Sequence, residues 1–258
     1  MSDTGIAKDS NAGAIDVLRR SLVLGYRILG MNGHGRGLLA HLTARIPGAE
    51  TFWSYQLGQS VEEVVLGDLT EVDFALRPVT GPGRVNPTLT SHGAIYKALP
   101  DINCIVHHHG DNSVALGAIG ANLEPFDNNA ARWHGDIALV EDYQDTFSIA
   151  EQGRIMAQQF RQHKALILKH HGVTVACASI AEAVIRVIEV EQSAGVQLKA
   201  MAAGHLHVMP AGAIAECKKF LNSPVYFDGM WNYMKRRAVR EGHDLDSEGV
   251  ELSSASHS

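Results

Sequence analysis

The sequence is poor in cysteine, in long apolar runs and in positive charge. Its three cysteines, Cys104, Cys177 and Cys217, lie far apart without metal-ligand spacing, so we expect reduced packing residues in a cytoplasmic protein. No stretch approaches the roughly 20 uninterrupted apolar residues of a membrane span, and the N-terminal residues lack the apolar segment of a signal peptide. A formal net charge of -6 with scattered lysine and arginine argues against a nucleic-acid-binding surface.

A dinucleotide-binding glycine motif is also missing. Gly33, Gly35 and Gly37 precede a predicted strand, whereas the dinucleotide motif joins a strand to a helix. The 258 residues are 45% hydrophobic, which is enough for one ample core. We expect a single domain over residues 12–242. It lies between tails at 1–11 and 243–258 that we predict to be disordered, the second because it is rich in Ser, Glu and Asp.

Apolar periodicity and turn residues predict a mixture of helices and short strands. Helices are predicted over 12–31, 89–98, 111–119, 149–162 and 180–203, and strands over 38–46, 51–55, 102–106, 166–169 and 173–177. Several short strands follow one another directly along the chain. This order predicts an α/β protein of three layers with a largely antiparallel or mixed sheet.

Two histidine clusters stand at the ends of predicted strands. His107, His108 and His109 follow one apolar run, and His170 and His171 follow another. Alternate side chains of a strand share a face, so His107 and His109 can bind one ion together while His108 points away. Neutral imidazoles suit zinc, iron or manganese. Two such clusters favour a metal site over the alternative, in which the histidines are polar surface residues or core residues with hydrogen-bond partners of their own.

Two segments carry a resemblance to the class II aldolase/adducin family. They are HGAIYKALPDINCIVHHH at 92–109 and ALILKHHGV at 165–173, within a similarity that extends from about residue 15 to 205. The resemblance implies an α/β/α sandwich with a central mixed, mostly antiparallel sheet. It also implies a homotetramer with sites between neighbouring subunits, and one divalent metal ion per subunit held by His107, His109 and His171.

The sequence departs from the sugar-phosphate aldolases of that family at two places. Thr88 stands where they carry a glutamate four residues before His92, and a threonine cannot serve as a carboxylate base. Their phosphate-binding Gly-Asn-x-Ser segment is replaced by Ala40-His41-Leu42-Thr43. Both changes make the chain look more like the branch that contains decarboxylases of hydroxylated aromatic acids.

Five further residues are candidates for the site. His92 is expected to transfer a proton or to orient the site, the alternative being a solvated histidine at a helix start. His41 and Thr43 are expected to contact substrate. Arg132 could bind a substrate carboxylate and His134 could donate a proton, unless both belong to a plain surface loop.

The leading hypothesis is a metal-dependent carbon–carbon lyase acting on a small non-phosphorylated hydroxylated acid. Decarboxylation is favoured over aldol cleavage because it needs no base of the glutamate type. A mononuclear non-heme Fe(II) oxygenase on the same fold is the alternative. The second alternative is a non-catalytic adducin-like oligomerisation module. The sequence does not choose between zinc, manganese and iron.

Overall fold

The computed structural model describes residues 4–35, 37–145 and 148–243. Within these residues, eight strands form one sheet and eight helices pack around it. The strands are β1 (His41–Arg45), β2 (Thr51–Ser54), β3 (Thr70–Asp73), β4 (Pro78–Thr80), β5 (Cys104–His108), β6 (Ile137–Val140), β7 (Ala165–Leu168) and β8 (Gly172–Cys177). The helices are α1 (Thr4–Met31), α2 (Thr90–Ala98), α3 (Asp111–Ala118), α4 (Asn128–Ala131), α5 (Ile149–Gln159), α6 (Ile180–Ala203), α7 (Ala211–Leu221) and α8 (Pro224–Arg240). None of the described helices is both long enough and apolar enough to cross a membrane.

The sheet is mixed, as predicted. Its strand order is β4-β3-β2-β1-β5-β8-β7-β6, and every neighbouring pair is antiparallel except β6 and β7. Those two run parallel because α5 carries the chain back from the end of β6 to the start of β7.

Helices cover both faces of the sheet, which confirms the three-layer sandwich. Cys104 and Val106 on β5 join a core cluster that contains residues of α1 and α6. Ile105, between them, joins a second cluster with residues of α2 and α5. Because side chains alternate along a strand, His107 points to the α2–α5 face and His108 to the opposite face.

The structure corrects one expected boundary and leaves another outside its range. Helix α1 begins at Thr4, so residues 4–11, which we expected to belong to a disordered tail, extend the first helix by two turns. The second expected tail, from 243, lies almost wholly outside the described residues, since only His243 of it is described.

Strand β5 is displaced along the chain from its predicted position. It was predicted over 102–106 and runs over Cys104–His108. Pairing with β1 at His41↔His107 and with β8 at His108↔Val173 continues the strand into the histidine run. The first two histidines of the run are therefore held in a strand and not in a loop.

Candidate metal centre

The histidines lie along one edge of the sheet, by which we mean the row formed by the ends of its strands and not an edge strand. The register pairs His41 with His107 across β1 and β5, and Val173 with His108 across β8 and β5. Leu168 at the end of β7 pairs with Gly172 at the start of β8. The ends of β5 and β7 and the starts of β1 and β8 therefore meet at this edge.

His107, His109 and His171, here called the histidine triad, converge at that edge. Their candidate ligand nitrogens all lie within 4.8 Å of one another, and the Nε2 atoms of His107 and His109 are 3.0 Å apart. The ring centroid of His171 lies 5.1 Å from that of His107 and 4.4 Å from that of His109. Two nitrogens bound to one ion at about 2.1 Å are themselves about 3 Å apart, so these spacings fit a shared ion.

Thr174 fixes the ring of His107. Its Oγ1 lies 2.9 Å from Nδ1 of His107 in a buried contact between β8 and β5. When Nδ1 donates its proton to this oxygen, the lone pair of Nε2 is free to face a metal ion.

Gly172 makes room for the triad. A Cβ atom at this position would lie 2.5 Å from the carbonyl oxygen of His108 and 3.2 Å from Cδ2 of His109. The glycine therefore lets β8 approach β5 closely enough for residues of both strands to meet.

Burial keeps the triad histidines neutral. It lowers the pKa of His107 well below 6.5, and the neighbouring imidazoles of His171 and His41 lower that pKa further. Burial, and then His109, lower the pKa of His171 to about 4, while burial lowers that of His109. Neutral imidazole is the form that binds a metal ion, so the donor set fits a divalent cation such as zinc, manganese or iron(II).

His92 lies on α2, and hydrogen bonds on the side away from the cavity hold its ring. Its Nδ1 lies 2.9 Å from Oγ1 of Thr43, which lies 2.8 Å from the hydroxyl of Tyr96. Thr43 is fully buried between these two side chains and does not line the cavity described below. This corrects the expectation that Thr43 contacts substrate, because its hydroxyl is already engaged inside the protein.

His41 lies beside the triad and is bound by Asn86. Its ring centroid is 5.9 Å from that of His107, and its Nε2 is 2.9 Å from Nδ2 of Asn86. The other end of that amide accepts hydrogen bonds from the backbone N–H of Thr88 at 3.0 Å and its hydroxyl at 2.8 Å. Thr88, at the position of the family glutamate, thus orients Asn86 and through it His41.

A cavity of about 210 Å³, here called the triad cavity, opens in front of these histidines. Its polar wall comprises His41, Asn86, Thr88, Ser91, His92, Gln152, Thr174 and the triad itself. Its apolar wall comprises Leu38, Leu39, Tyr143, Ile149 and Met156. Among the described lining residues there is no aspartate, glutamate, lysine or arginine.

A second and larger cavity lies on the other side of His109. It measures about 550 Å³, shares Leu39 and His109 with the triad cavity, and is here called the polar cavity. His108, which points away from the triad as expected from alternation, packs edge-on against His34 at 4.6 Å between ring centroids. Both rings line the polar cavity.

Arg132 lies away from the triad, which corrects its expected role. The guanidinium is 0% exposed, pairs with Glu189 on α6 and donates to the carbonyl of Leu221. It also lies 4.8 Å from the ring centroid of Tyr226. Because both terminal nitrogens donate to these partners and the residue does not line the triad cavity, Arg132 is a core residue of this chain and not a residue that binds a substrate carboxylate.

His134 is also separated from the triad within the chain. It is exposed, and its backbone carbonyl accepts a hydrogen bond from Lys218. It precedes β6, whereas His171 follows the parallel strand β7, so the two stand at opposite edges of the sheet. Four residues of strand separate these edges by roughly 13 Å, which corrects the expectation that His134 donates a proton at the triad of its own subunit.

Three neighbours of the triad were missed in the sequence. Thr174 and Asn86 orient His107 and His41, and the ring of Tyr143 lies tilted beside that of His171, at 5.0 Å between ring centroids. Thr174 looks like an ordinary β-branched strand residue until the register with β5 is known. Asn86 carried a usable signal, because Asn-Pro at 86–87 is typical of a residue that bonds to the following backbone at a helix start.

Comparison with known proteins identifies the family. The sequence profile of the Class II Aldolase and Adducin N-terminal domain matches residues 20–198, which is more than half of the chain. The chain belongs to the class II aldolase/adducin family. The resemblance seen in the histidine segments is therefore confirmed.

The relatives of this class II aldolase-family chain carry several names. The "4-hydroxy-3-prenylphenylpyruvate oxygenase/4-hydroxy-3-prenylbenzoate synthase" of Streptomyces roseochromogenus subsp. oscitans is 30% identical over 178 residues, covering 68% of this chain and 64% of that protein. Decarboxylase NovR of Streptomyces niveus is 30% identical over 178 residues, covering 68% and 66%. The match thus spans slightly less than two thirds of either relative. The structure of L-fuculose 1-phosphate aldolase from Glaciozyma antarctica PI12 superposes with a TM-score of 0.77 at 27% identity, covering 88% of this chain and 92% of that one.

Proposed function

We propose that this class II aldolase-family protein is a metal-dependent carbon–carbon lyase that decarboxylates a small non-phosphorylated hydroxylated acid. One observation carries the proposal. Three imidazole nitrogens converge within 4.8 Å beside a cavity whose described lining residues include neither a carboxylate nor a cationic side chain.

The described lining residues include no carboxylate, which favours decarboxylation over aldol cleavage. Aldol cleavage begins with removal of a hydroxyl proton and needs a base. Loss of CO2 needs stabilisation of the negative charge left behind, and then one proton for the carbanion, which a water molecule entering after CO2 leaves can supply. Thr88 stands where the aldolases of this family carry their glutamate, and its hydroxyl donates to Asn86. No lysine or arginine is found among the lining residues that the structure describes, which likewise disfavours a phosphorylated substrate.

The triad would hold a divalent ion. When bound, such an ion supplies two positive charges and open positions for adjacent substrate oxygens, and so stabilises the enolate-type charge formed as the carbon–carbon bond breaks. Thr174 holds His107 for this role. His41 and His92 stand beside the triad as neutral polar groups, since burial lowers the pKa of His41 to about 4 and that of His92 well below 6.5.

The walls of the triad cavity limit the substrate. A volume of about 210 Å³ is below the roughly 300–1,000 Å³ typical of pockets for drug-sized ligands. The apolar wall formed by Leu38, Leu39, Ile149 and Met156 suits a ring or an alkyl group and excludes water from the reacting carboxylate. A hydroxylated aromatic acid has this combination of a chelating end and an apolar body.

The proposal includes a homotetramer in the cytoplasm with sites between neighbouring subunits, as the family resemblance implies. Sedimentation analysis of the metal-loaded protein tests the assembly. A monomer at micromolar concentration would contradict it.

An Fe(II) oxygenase is the second candidate, favoured by the name of the Streptomyces roseochromogenus relative. It uses the same triad, so oxygen dependence separates the two functions. The metal-stripped protein is reloaded anaerobically with Zn²⁺, Mn²⁺ or Fe²⁺ and offered hydroxylated aromatic and aliphatic acids, with CO2 and O2 both measured. The lyase releases CO2 without O2. Turnover only with Fe²⁺, coupled to O2 uptake, would replace the lyase with the oxygenase.

A further inference from the structure

Three buried side chains form a hydrogen-bonded row that ends at the triad cavity. The hydroxyl of Tyr96 lies 2.8 Å from Oγ1 of Thr43, and that oxygen lies 2.9 Å from Nδ1 of His92. Tyr96, Thr43 and His92 are 1%, 0% and 2% exposed. Water therefore does not compete for these bonds, and each proton must be used inside the row.

The direction of the row follows from the proton of Tyr96. Burial raises the pKa of the phenol well above 10, so the hydroxyl keeps its proton. Within the described part of the chain, the oxygen of Thr43 is the acceptor in reach of that proton. If Thr43 instead donated to Tyr96, the phenolic proton would be buried without a partner, which is energetically unfavourable. Tyr96 therefore donates to Thr43, and Thr43 donates to Nδ1 of His92.

The tautomer of His92 is then determined. A neutral imidazole has one N–H, and a ring whose Nδ1 accepts carries its proton on Nε2. Nδ1 faces Thr43 inside the protein, whereas the ring lines the triad cavity beside His41, at 6.2 Å between ring centroids. Nε2, which bears the hydrogen, is therefore the nitrogen of His92 that can contact a ligand in the triad cavity.

We infer that Thr43 and Tyr96 are positioning residues that hold His92 as a neutral hydrogen-bond donor, whose Nε2–H binds the substrate oxygen on which negative charge develops. The role in turnover rests on the lyase proposed above, whereas the tautomer does not. No proton is transferred in this role, and one hydrogen bond forms to the oxygen as its charge grows.

The same row disfavours a proton transfer from His92. Loss of the Nε2 proton would draw the Thr43 proton onto Nδ1 and the Tyr96 proton onto Thr43, which leaves a tyrosinate. Burial raises the pKa of Tyr96, so this end state is disfavoured. Of the two roles that the sequence suggested for His92, proton transfer or orientation of the site, this arrangement favours the second, with His92 donating a hydrogen bond.

The direct test is the position of the proton in the protein itself. Long-range ¹H–¹⁵N correlation spectra of metal-free and Zn²⁺-loaded protein with ¹⁵N-labelled histidine show which nitrogen of each ring is protonated. The signals of His92, one of 14 histidines, are identified by their loss in His92→Gln. We expect hydrogen on Nε2, and an Nδ1 resonance that moves in Thr43→Val but stays in Thr43→Ser. Hydrogen on Nδ1 in the wild type, or an Nδ1 signal unmoved by Thr43→Val, overturns the inference.

Kinetics with a substrate found in the anaerobic screen test the role in turnover. A glutamine amide can replace an Nε2–H donor but cannot replace a proton donor. We expect His92→Leu to lower kcat by roughly 100- to 1000-fold, and His92→Gln to restore it to within about tenfold of the wild type. Equal losses in both variants would show that His92 does more than donate a hydrogen bond. Lack of turnover by the wild-type protein with any metal would refute the lyase and leave the tautomer measurement standing.

Discussion

The hydroxyl of Thr174 lies 2.9 Å from Nδ1 of His107, across two neighbouring antiparallel strands. The register that pairs these two residues also brings Gly172, at the start of β8, against the histidine run of β5. One pair of strands therefore both delivers a candidate metal ligand and orients it. We therefore expect Thr174 to affect metal binding although it is not a member of the triad.

Replacing Thr174 should weaken metal binding. Thr174→Val keeps the shape and removes the acceptor for the Nδ1 proton of His107, so the apparent Kd for Zn²⁺ should rise about 10- to 100-fold. Thr174→Ser keeps the hydroxyl and should bind nearly as the wild type does. The measurement is competition with a chromogenic chelator. Equal affinity in the valine and serine variants would show that the hydroxyl does not orient the ligand.

Removing two members of the triad should remove the ion. The combined substitution His107→Ala and His109→Ala leaves one imidazole, which cannot retain a divalent cation well. Metal analysis after purification without chelators should show loss of bound metal, and turnover should be abolished. His207→Ala is the matched control, because His207 is exposed in the segment that follows α6 and has no role in the proposed site. Full activity of the double variant would support a non-catalytic adducin-like module.

A methyl group at position 172 should disturb the site. Gly172→Ala places an atom 2.5 Å from the carbonyl oxygen of His108, so β8 must move away from β5. We expect a loss of about 1–3 kcal/mol in the free energy of unfolding and a lower metal content. Gly212→Ala in α7, where nothing lies within 4 Å, should instead be neutral or slightly stabilising. Urea unfolding of both variants makes the comparison.

Arg132 should matter for folding and not for the site. Arg132→Met leaves the carboxylate of Glu189 partly buried without its cation, which should cost about 3–5 kcal/mol in unfolding free energy. Adding Glu189→Leu should recover part of that loss. The metal content of the folded fraction should equal that of the wild type. A weakened affinity for substrate with unchanged stability would restore Arg132 as a binding residue.

The metal-free protein should lose stability as the pH falls. Burial lowers the pKa values of His34 and His41 from 6.5 to about 4, with His109 and His171 also lowering that of His41. The unfolded chain binds a proton at each residue below about pH 6.5 and the folded chain does not until about pH 4. Each residue therefore contributes about 3 kcal/mol to the free energy of unfolding above about pH 6.5. This contribution is lost as the pH falls through the window from about 6.5 to about 4.

Urea unfolding from about pH 7 to about pH 4 measures this dependence. His34→Gln removes one of the histidines with a lowered pKa and should flatten the slope. A free energy of unfolding that is constant across the window would mean that His34 and His41 are solvated in the folded chain.

The histidine triad could be predicted because strand alternation acts locally. His107 and His109 share a face whatever lies beside β5, and a strand ending at Leu168 brings His171 to the same edge. The family resemblance added the choice of His171 over His170. The structure places His170 as an exposed residue with a φ of 61° in the turn that leads into β8.

Residues whose role depends on distant packing could not be predicted. Arg132 looked like a free guanidinium because Glu189, its partner, stands 57 residues away on α6. Thr43 looked like a cavity residue because its two partners lie on a helix that packs over β1. Thr43 had been assigned to the correct strand, whereas Arg132 had been assigned to no helix or strand and follows α4 directly. In both cases the neighbours of the side chain decide what it does.

Several elements of the fold were missed for a similar reason, among them β6 and α7. Strand β6 has only four residues and is recognised by its pairing with β7, from Ile137↔Ala165 to Val140↔Leu168. Helix α7, over Ala211–Leu221, follows a loop with Gly204 and Pro210 and buries only Ile214 and Leu221. Short or weakly buried elements leave little periodic signal in a sequence.

His109 lines both cavities: the triad cavity, which it shares with His107 and His171, and the polar cavity of about 550 Å³, which it shares with His34 and His108. A molecule bound in the polar cavity that turned the ring of His109 would alter the affinity of the triad for a cation. By thermodynamic reciprocity, the cation would alter the affinity of that molecule by the same factor. Attempts to widen the substrate range of the proposed lyase are therefore better directed at Ile149 and Met156, since a change on the polar-cavity side of His109 would also disturb the proposed metal site.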